Sequence, residues 1–190
     1  MTETVKPYQQ FIRGQWFDAA SGETLPVENP ASGVQVATVP ASGQVDVDHA
    51  VDAAAEAFET WSLTTPQTRS LALLKIADII DANADELGRL ESLQTGKPTQ
   101  AAIDEMAVSS DLFRFFAGAC RVMEGLAVTE YLEGHTSMVR RDPVGVVASI
   151  APWNYPLYMA AWKLGPALAT GNTVVLKPAA RTPLSALRFA

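Results

Sequence analysis

The stretch Asp142–Pro183, DPVGVVASIAPWNYPLYMAAWKLGPALATGNTVVLKPAARTP, decides the fold. Two short apolar runs, Val144–Ile150 and Thr173–Leu176, bracket a helical segment, Leu157–Ala169. Runs this short and without polar alternation predict strands buried on both faces. Pro156 stands where a first-turn proline is tolerated, and Gly171-Asn172 where a helix ends. Strand, helix and strand at this spacing make a βαβ crossover, which is right-handed and builds a parallel sheet. Ligands of open α/β sheets collect outside the carboxyl ends of the strands. One such end carries Ala151-Pro152-Trp153-Asn154 and the other Lys177-Pro178, so an amide and an ammonium share one edge.

Working outward, composition narrows the function classes. The chain has 190 residues, 48% hydrophobic and 18% charged, the profile of a globular protein. A net charge of −7 argues against a nucleic-acid partner held by phosphate contacts and suits a cytoplasmic protein. MTETVKPYQQF lacks the apolar core of a signal peptide, and no run approaches the length of a membrane span. Cys120 is the only cysteine, and His49 and His135 are the only histidines. Intrachain disulfides and a thiol-rich zinc site are excluded, and a His-based metal site is not expected.

Before the crossover, residues 1–10 read as a frayed end. Phe11–Phe17 predicts a hairpin about Gly14, and Asn29-Pro30-Ala31-Ser32-Gly33 a turn leading into a half-buried strand, Val34–Val39. Four helices follow. The first, Val45–Trp61, puts Val47, Ala50, Val51, Ala54, Phe58 and Trp61 on one face. The second opens at Pro66, with an apolar stripe of Leu71, Leu74, Ile76, Ile79 and Ile80. The third spans Ala84–Thr95 and stops at Gly96, and the fourth spans Thr99–Gly118. Glu130–Asp142 is polar and turn-rich, a hairpin that alone would expose an edge.

The strings IAPWNYPLYMAAWKLGPALATGNTVVLKP, ESLQTGKP and FRFFAG are similar to the NAD(P)-dependent aldehyde dehydrogenase superfamily. EYLEGHTSM and RRDPVGVVASIAPWNYP resemble its γ-aminobutyraldehyde and betaine-aldehyde branch. The resemblance runs from Phe11 onward and implies an α/β fold in which a small β meander and helices pack on a partial Rossmann-like parallel sheet. It implies a meander and helical part of the cofactor domain over 1–129, a bridging hairpin that joins subunits of a homo-oligomer over 130–142, and the start of the NAD(P)-binding sheet over 143–190. Against a family member the chain ends less than halfway along. The implied activity is oxidation of an aldehyde, such as an aminoaldehyde, to its acid with NAD or NADP, through a thioester on a Cys beyond residue 190. The general-base Glu and the glycine motif for the pyrophosphate are expected there too.

The resemblance also assigns roles, each beside a plainer reading. Asn154 is either a helix N-cap or, as in the family, the amide that donates to the aldehyde oxygen. Lys177 is either a solvated lysine or the ammonium that binds the adenine ribose hydroxyls. The family often carries a Glu three residues later for the same ribose, and Ala180 stands there, which leaves the choice between NAD and NADP open. Ile150, Ala151, Pro152 and Trp153 are core, cofactor groove, or both. Lys163 is a snorkelling surface lysine or part of a charge relay. Tyr155, Tyr158, Met159 and Trp162 recur at helical spacing, as core or as the wall of a substrate tunnel suited to a cation. Glu105 is a solvated acid beside Asp104, or the carboxylate that meets a substrate ammonium, although Val108 replaces the branch's second acid.

Cys120 follows FRFFAGA and lacks the family's nucleophile context, so it reads as a buried core thiol. Two other classes stand against the enzyme. One is a non-catalytic fragment with at most an interaction role. The other is an unrelated nucleotide-binding α/β protein, which would place a Gly-rich turn where Ala151-Pro152-Trp153-Asn154 stands.

Overall fold

The computed structural model describes residues 5–125 and 128–190. Five short strands come first: β1 (Lys6–Pro7), β2 (Gln10–Ile12), β3 (Gln15–Phe17), β4 (Thr24–Asn29) and β5 (Val34–Pro40). The expectation of a frayed 1–10 is corrected from Lys6 onward, because β1 and β2 are paired; residues 1–4 lie outside the described residues. β2 and β3 form the predicted hairpin, with Phe11 opposite Trp16. Its turn residues Arg13 and Gly14 both hold positive φ, 52° and 74°, the hand that matches strand twist. Asn29 Oδ1 accepts from Ala31 N at 2.9 Å and fixes the next turn. The single meander of the sequence reading is instead two sheets, β1–β5–β4 and β2–β3. Tyr8 N donates to Thr38 O and keeps β1 parallel to β5, while Gln10 Nε2 donates to Asp46 Oδ1 at 2.6 Å and turns the hairpin away.

Four helices follow: α1 (Gln44–Trp61), α2 (Pro66–Ala82), α3 (Ala84–Thr95) and α4 (Thr99–Ala119). Thr65 Oγ1 caps α2 by accepting from Thr68 N, and Gly96, at φ 75°, ends α3 in the left-handed conformation. Next come the exposed hairpin β6 (Thr129–Leu132) and β7 (His135–Ser137), then β8 (Val146–Ile150), α5 (Pro156–Ala169), β9 (Thr173–Lys177) and α6 (Leu184–Phe189). β8 and β9 are parallel, in register from Val146 opposite Thr173 to Ile150 opposite Lys177. Asn172 Oδ1 accepts from Val144 N and Gly145 N, and so ties the start of β8 to the turn before β9.

The core lies among α2, α4 and α5, where Leu73, Ile80, Met106, Phe113 and Leu157 are fully buried. α5 sits close on α4 because residue 165 is glycine: a Cβ there would meet Phe116 Cδ2 at 2.5 Å.

Three expectations need correction. On α2 the buried stripe is Arg69, Leu73, Ala77 and Ile80, while Leu71, Leu74 and Ile79 are exposed. That helix is apolar most of the way round, so periodicity alone leaves its phase open. Arg69 helps set it, donating from Nε to Ala169 O at 2.9 Å and from Nη1 to Thr64 O at 2.6 Å. On α1, Ala54 is buried but Val47 and Val51 are exposed, Val47 on an open cleft. The strands β8 and β9 are half-buried rather than covered on both faces, and Ile150 is 68% exposed. α1 and α5 make the main contacts with the pair, and much of its surface stays open.

Candidate functional site

The register of β8 and β9 builds the site. Ala151 N donates to Lys177 O at 3.0 Å, so the Pro152-Trp153-Asn154 turn leaves the sheet beside Lys177. Ala151 is buried, while Pro152, Trp153, Asn154 and Lys177 are exposed. Among the described residues the one hydrogen bond of Lys177 Nζ is to its neighbour's carbonyl, Pro178 O, at 3.3 Å, and the side chain is exposed. Ala180, three residues on, is exposed and brings no carboxylate to that edge.

The structure decides what Asn154 does not do. The N-cap of α5 is Tyr155, without a side-chain cap bond, and the backbone N of Leu157 donates to Glu91 Oε1 at 3.2 Å. A distant carboxylate thus does the capping, and the Asn154 amide has no hydrogen-bond partner among the described residues. Glu91 is fully buried. Its Oε2 accepts from Ser185 Oγ and from Gln94 Nε2 at 3.0 Å. Gln94 Oε1 in turn accepts from Leu184 N at 2.7 Å. One network therefore joins α3 to the starts of α5 and α6. Burial pushes the Glu91 carboxyl pKa up, against the lowering effect of those bonds and of the Lys97 charge.

The rim of the same turn is held by Lys97. Its Nζ donates to Glu105 at 2.9 and 2.6 Å and to Asn154 O at 3.2 Å. It also lies 4.4 Å from the centroid of the Tyr155 ring. The Lys97 and Glu105 side chains are only 16% and 19% exposed. The structure thus places Glu105 near the turn, but bonded to the protein's own ammonium; its neighbour Asp104 turns away to Gln100 Nε2.

From Tyr155 an aromatic series runs along α5. Tyr155–Tyr158 and Tyr158–Trp162 stack edge-on at 6.1 and 6.2 Å, and Trp162 meets Phe116 of α4 at 6.3 Å. Tyr155 and Trp162 are exposed, whereas Tyr158 and Met159 are half-buried. Lys163 is half-buried on α5 with no ion-pair partner among the described residues. Cys120 is buried, and its one S–H proton lies within reach of the carbonyls of Pro66 and Ala117. Burial pushes its thiol pKa up, the opposite of what a nucleophile needs.

A cleft of about 950 Å³ lies along α1 and β9. It shares Lys177 and Ala180 with the edge but none of the Asn154 turn, and its walls are mostly apolar. Strand-end geometry, not this cleft, locates the candidate site. Sequence reasoning missed Glu91, Gln94, Ser185 and Lys97. Most of their partners are distant in sequence, and the local signals were Gln94 three residues after Glu91 and a lysine eight residues before Glu105.

Comparison with known proteins agrees with this geometry. Residues 16–190 match the pattern described as "Aldehyde dehydrogenase family". The chain is 44% identical to phenylacetaldehyde dehydrogenase of Pseudomonas fluorescens, over 97% of this chain and 38% of that protein. It is 42% identical to the NADP/NAD-dependent aldehyde dehydrogenase PuuC of Escherichia coli, over 95% of this chain and 37% of that one. The solved betaine aldehyde dehydrogenase of Staphylococcus aureus in complex with NAD+ superposes with a TM-score of 0.91 at 38% identity, covering 95% of this chain and 36% of that one. The chain thus spans little more than a third of the length of the relatives it matches. The family match over residues 16–190 shows that the chain belongs to the aldehyde dehydrogenase family.

Proposed function

We propose that this chain supplies the carbonyl-oxygen donor and one wall of the cofactor groove for oxidation of an aldehyde to its carboxylic acid. In the overall change, aldehyde and water give the acid, with hydride taken up by NAD(P)+ and a proton released. The observation that carries this reading is the Asn154 side-chain amide, relieved of capping by Glu91 and carried on the turn that follows β8 at the carboxyl edge of the parallel pair. Addition of a nucleophile to an aldehyde turns its oxygen into an oxyanion, and a fixed N–H donor stabilises that state more than the ground state. Lys177 would donate to the ribose hydroxyls, and Ile150, Ala151, Pro152 and Trp153 would form the adjoining wall. With Ala180 in the place of a carboxylate, nothing there repels a 2′-phosphate, so NAD and NADP are both accommodated.

For the substrate, the sequence resemblance favours an aminoaldehyde, with Glu105 and the aromatic series meeting its cation. The bidentate Lys97–Glu105 pair favours a second reading, an uncharged aldehyde lying along Tyr155, Tyr158, Met159 and Trp162. Lys163, a candidate member of a charge relay, lies on the same helix. A homo-oligomer belongs to this proposal on the strength of the exposed β6–β7 hairpin. A cytoplasmic location belongs to it on the acidic charge.

The test uses the protein expressed from its own reading frame, with whatever that frame encodes after Ala190. It should reduce NAD+ or NADP+ in the presence of an aldehyde. Asn154→Asp should keep the fold and lower kcat roughly a hundred- to a thousandfold, because a carboxylate repels the developing oxyanion. An Asn154→Asp protein with undiminished kcat would remove Asn154 from the mechanism.

A further inference from the structure

Two loops leave the carboxyl edge of the parallel pair: residues 151–155 after β8, which carry Asn154, and residues 178–183 after β9. Among the described residues one hydrogen bond joins their bases, Ala151 N to Lys177 O, and none joins them farther out. Their far ends are tied instead through α3. Glu91 accepts from Leu157 N on Oε1, three residues past Asn154, and from Ser185 Oγ, in the first turn of α6, on Oε2. Gln94, one turn on along α3, donates from Nε2 to Glu91 Oε2 at 3.0 Å and to Ser185 Oγ at 2.8 Å. Its Oε1 accepts from Leu184 N at 2.7 Å. Glu91, Gln94 and Ser185 are all buried. Apolar packing would join three helices without such directional groups. Hydrogen bonds add a narrow range of length and angle, and so fix where one loop end lies against the other. A donor aimed at a developing oxyanion needs that tolerance, since a displacement of about 1 Å by a distant change can cost a hundredfold in rate.

We propose that Ser185 and Gln94 are positioning residues for Asn154, acting through Glu91: the buried hub on α3 sets the place of the Asn154 turn against the loop after β9. The proposal rests on the reading of Asn154 as the carbonyl-oxygen donor. It gives the hub a role beyond holding α5 and α6 in the fold. Ser185 and Gln94 lie outside the exposed edge that carries Asn154 and Lys177, so their effect on the reaction must travel through the backbone at Leu157.

The experiment uses the protein expressed from its own reading frame, with saturating NAD+ and whichever of propanal, phenylacetaldehyde and 4-aminobutanal it oxidises fastest. The rate of the first NADH-forming turnover is read, so that product release does not mask the chemical step. Ser185→Ala removes one hydroxyl and leaves Leu157 N and Gln94 on Glu91; it should lower this rate about tenfold. Introduced into Asn154→Ala, the same change should lower it by less than about twofold, because the donor being positioned is gone. Gln94→Met, which releases Leu184 N, should show the same pattern. Rates are taken well below each variant's melting temperature and per folded molecule. A hub that serves the fold alone would lower the melting temperature and leave these rates unchanged. Unchanged rates in both variants, or losses equally large with and without Asn154, overturn the proposal. If Asn154→Ala does not slow an active wild type, the reading of Asn154 fails and the proposal falls with it. A folded wild type that oxidises none of the three aldehydes overturns the enzymatic reading itself.

Discussion

The two sides of the Asn154 turn are built on opposite principles. Beneath it, Glu91 is fully buried without a cation in contact and is satisfied by neutral donors alone. Above it, Glu105 is partly exposed and paired with Lys97. A buried carboxylate without a counter-ion bears the full cost of desolvation, and its proton affinity rises accordingly. A carboxylate at the rim keeps a cation and some water. The two supports fix the turn through backbone groups, Leu157 N from below and Asn154 O from above. Neither touches the Asn154 amide. The backbone that carries the group proposed to meet the substrate is therefore held by its neighbours, while the Asn154 amide itself stays free to donate.

The contrast breaks most visibly on the buried side. Glu91→Ala strips the acceptor from Ser185 Oγ, Gln94 Nε2 and Leu157 N together, three donors inside the fold. Loss of a buried polar hub of this kind should cost about 3 kcal/mol or more. Urea unfolding of the 190-residue chain reads it directly. Glu91→Gln should cost less, because its amide oxygen still accepts one or two of those bonds. If Glu91→Ala unfolds at the wild-type urea concentration, the network is not what anchors α5 and α6.

The rim should respond more weakly. A cycle of Lys97→Met, Glu105→Gln and the double variant isolates the pair, and its coupling energy should be about 1 kcal/mol, above the median for exposed ion pairs because less than a fifth of either side chain is exposed. Added salt should reduce it. A coupling as large as the Glu91→Ala loss would mean that the rim, not the floor, carries the turn.

How much of this was legible in the sequence depends on how far the signal travels along the chain. The crossover was readable because its cues are local: Pro156 starts α5, Gly171 at φ 87° ends the turn after it, and the apolar runs mark β8 and β9 within two residues. The hairpin at Arg13-Gly14 and the stop at Gly96 were readable for the same reason. The phase of α2 was not, since Leu71, Leu74 and Ile79 are as apolar as the buried Leu73 and Ile80. Arg69 chose the phase by reaching Ala169, a hundred residues away. The sequence reading passed over Glu91, whose partners Leu157 and Ser185 lie 66 and 94 residues along. At Asn154 the residues permitted a cap or an oxyanion donor, and only the fold shows that Glu91 holds the capping position.

The sharpest test of the contrast asks only where one proton sits. Burial raises the Glu91 pKa above its ordinary value of 4.5, outweighing the bonds from Ser185, Leu157 N and Gln94 and the charge of Lys97. The folded chain therefore keeps this proton to a higher pH than the unfolded chain does. Between 4.5 and that higher value the native state binds more protons, so stability attributable to Glu91 is present below the window and falls as pH rises through it. The loss should be about 1.4 kcal/mol for each pH unit the window spans. Asp46, Asp81 and Glu86 act the other way: hydrogen bonds, from Gly43 N, Ser110 and Arg188 respectively in each leading place, pull their pKa values down. Their contribution is therefore lost only as pH falls. Those groups are common to wild type and Glu91→Gln and cancel when the two are compared. The stability of wild type minus that of Glu91→Gln, from urea midpoints at a series of pH values between about 4 and 8, should thus decline through the window and then flatten. A difference that instead grows with pH would show that Ser185, Gln94 and Leu157 N hold the carboxylate ionised in the folded state. The floor of the turn would then be a second anionic clamp rather than a neutralised one, and the contrast with the Lys97–Glu105 rim would disappear.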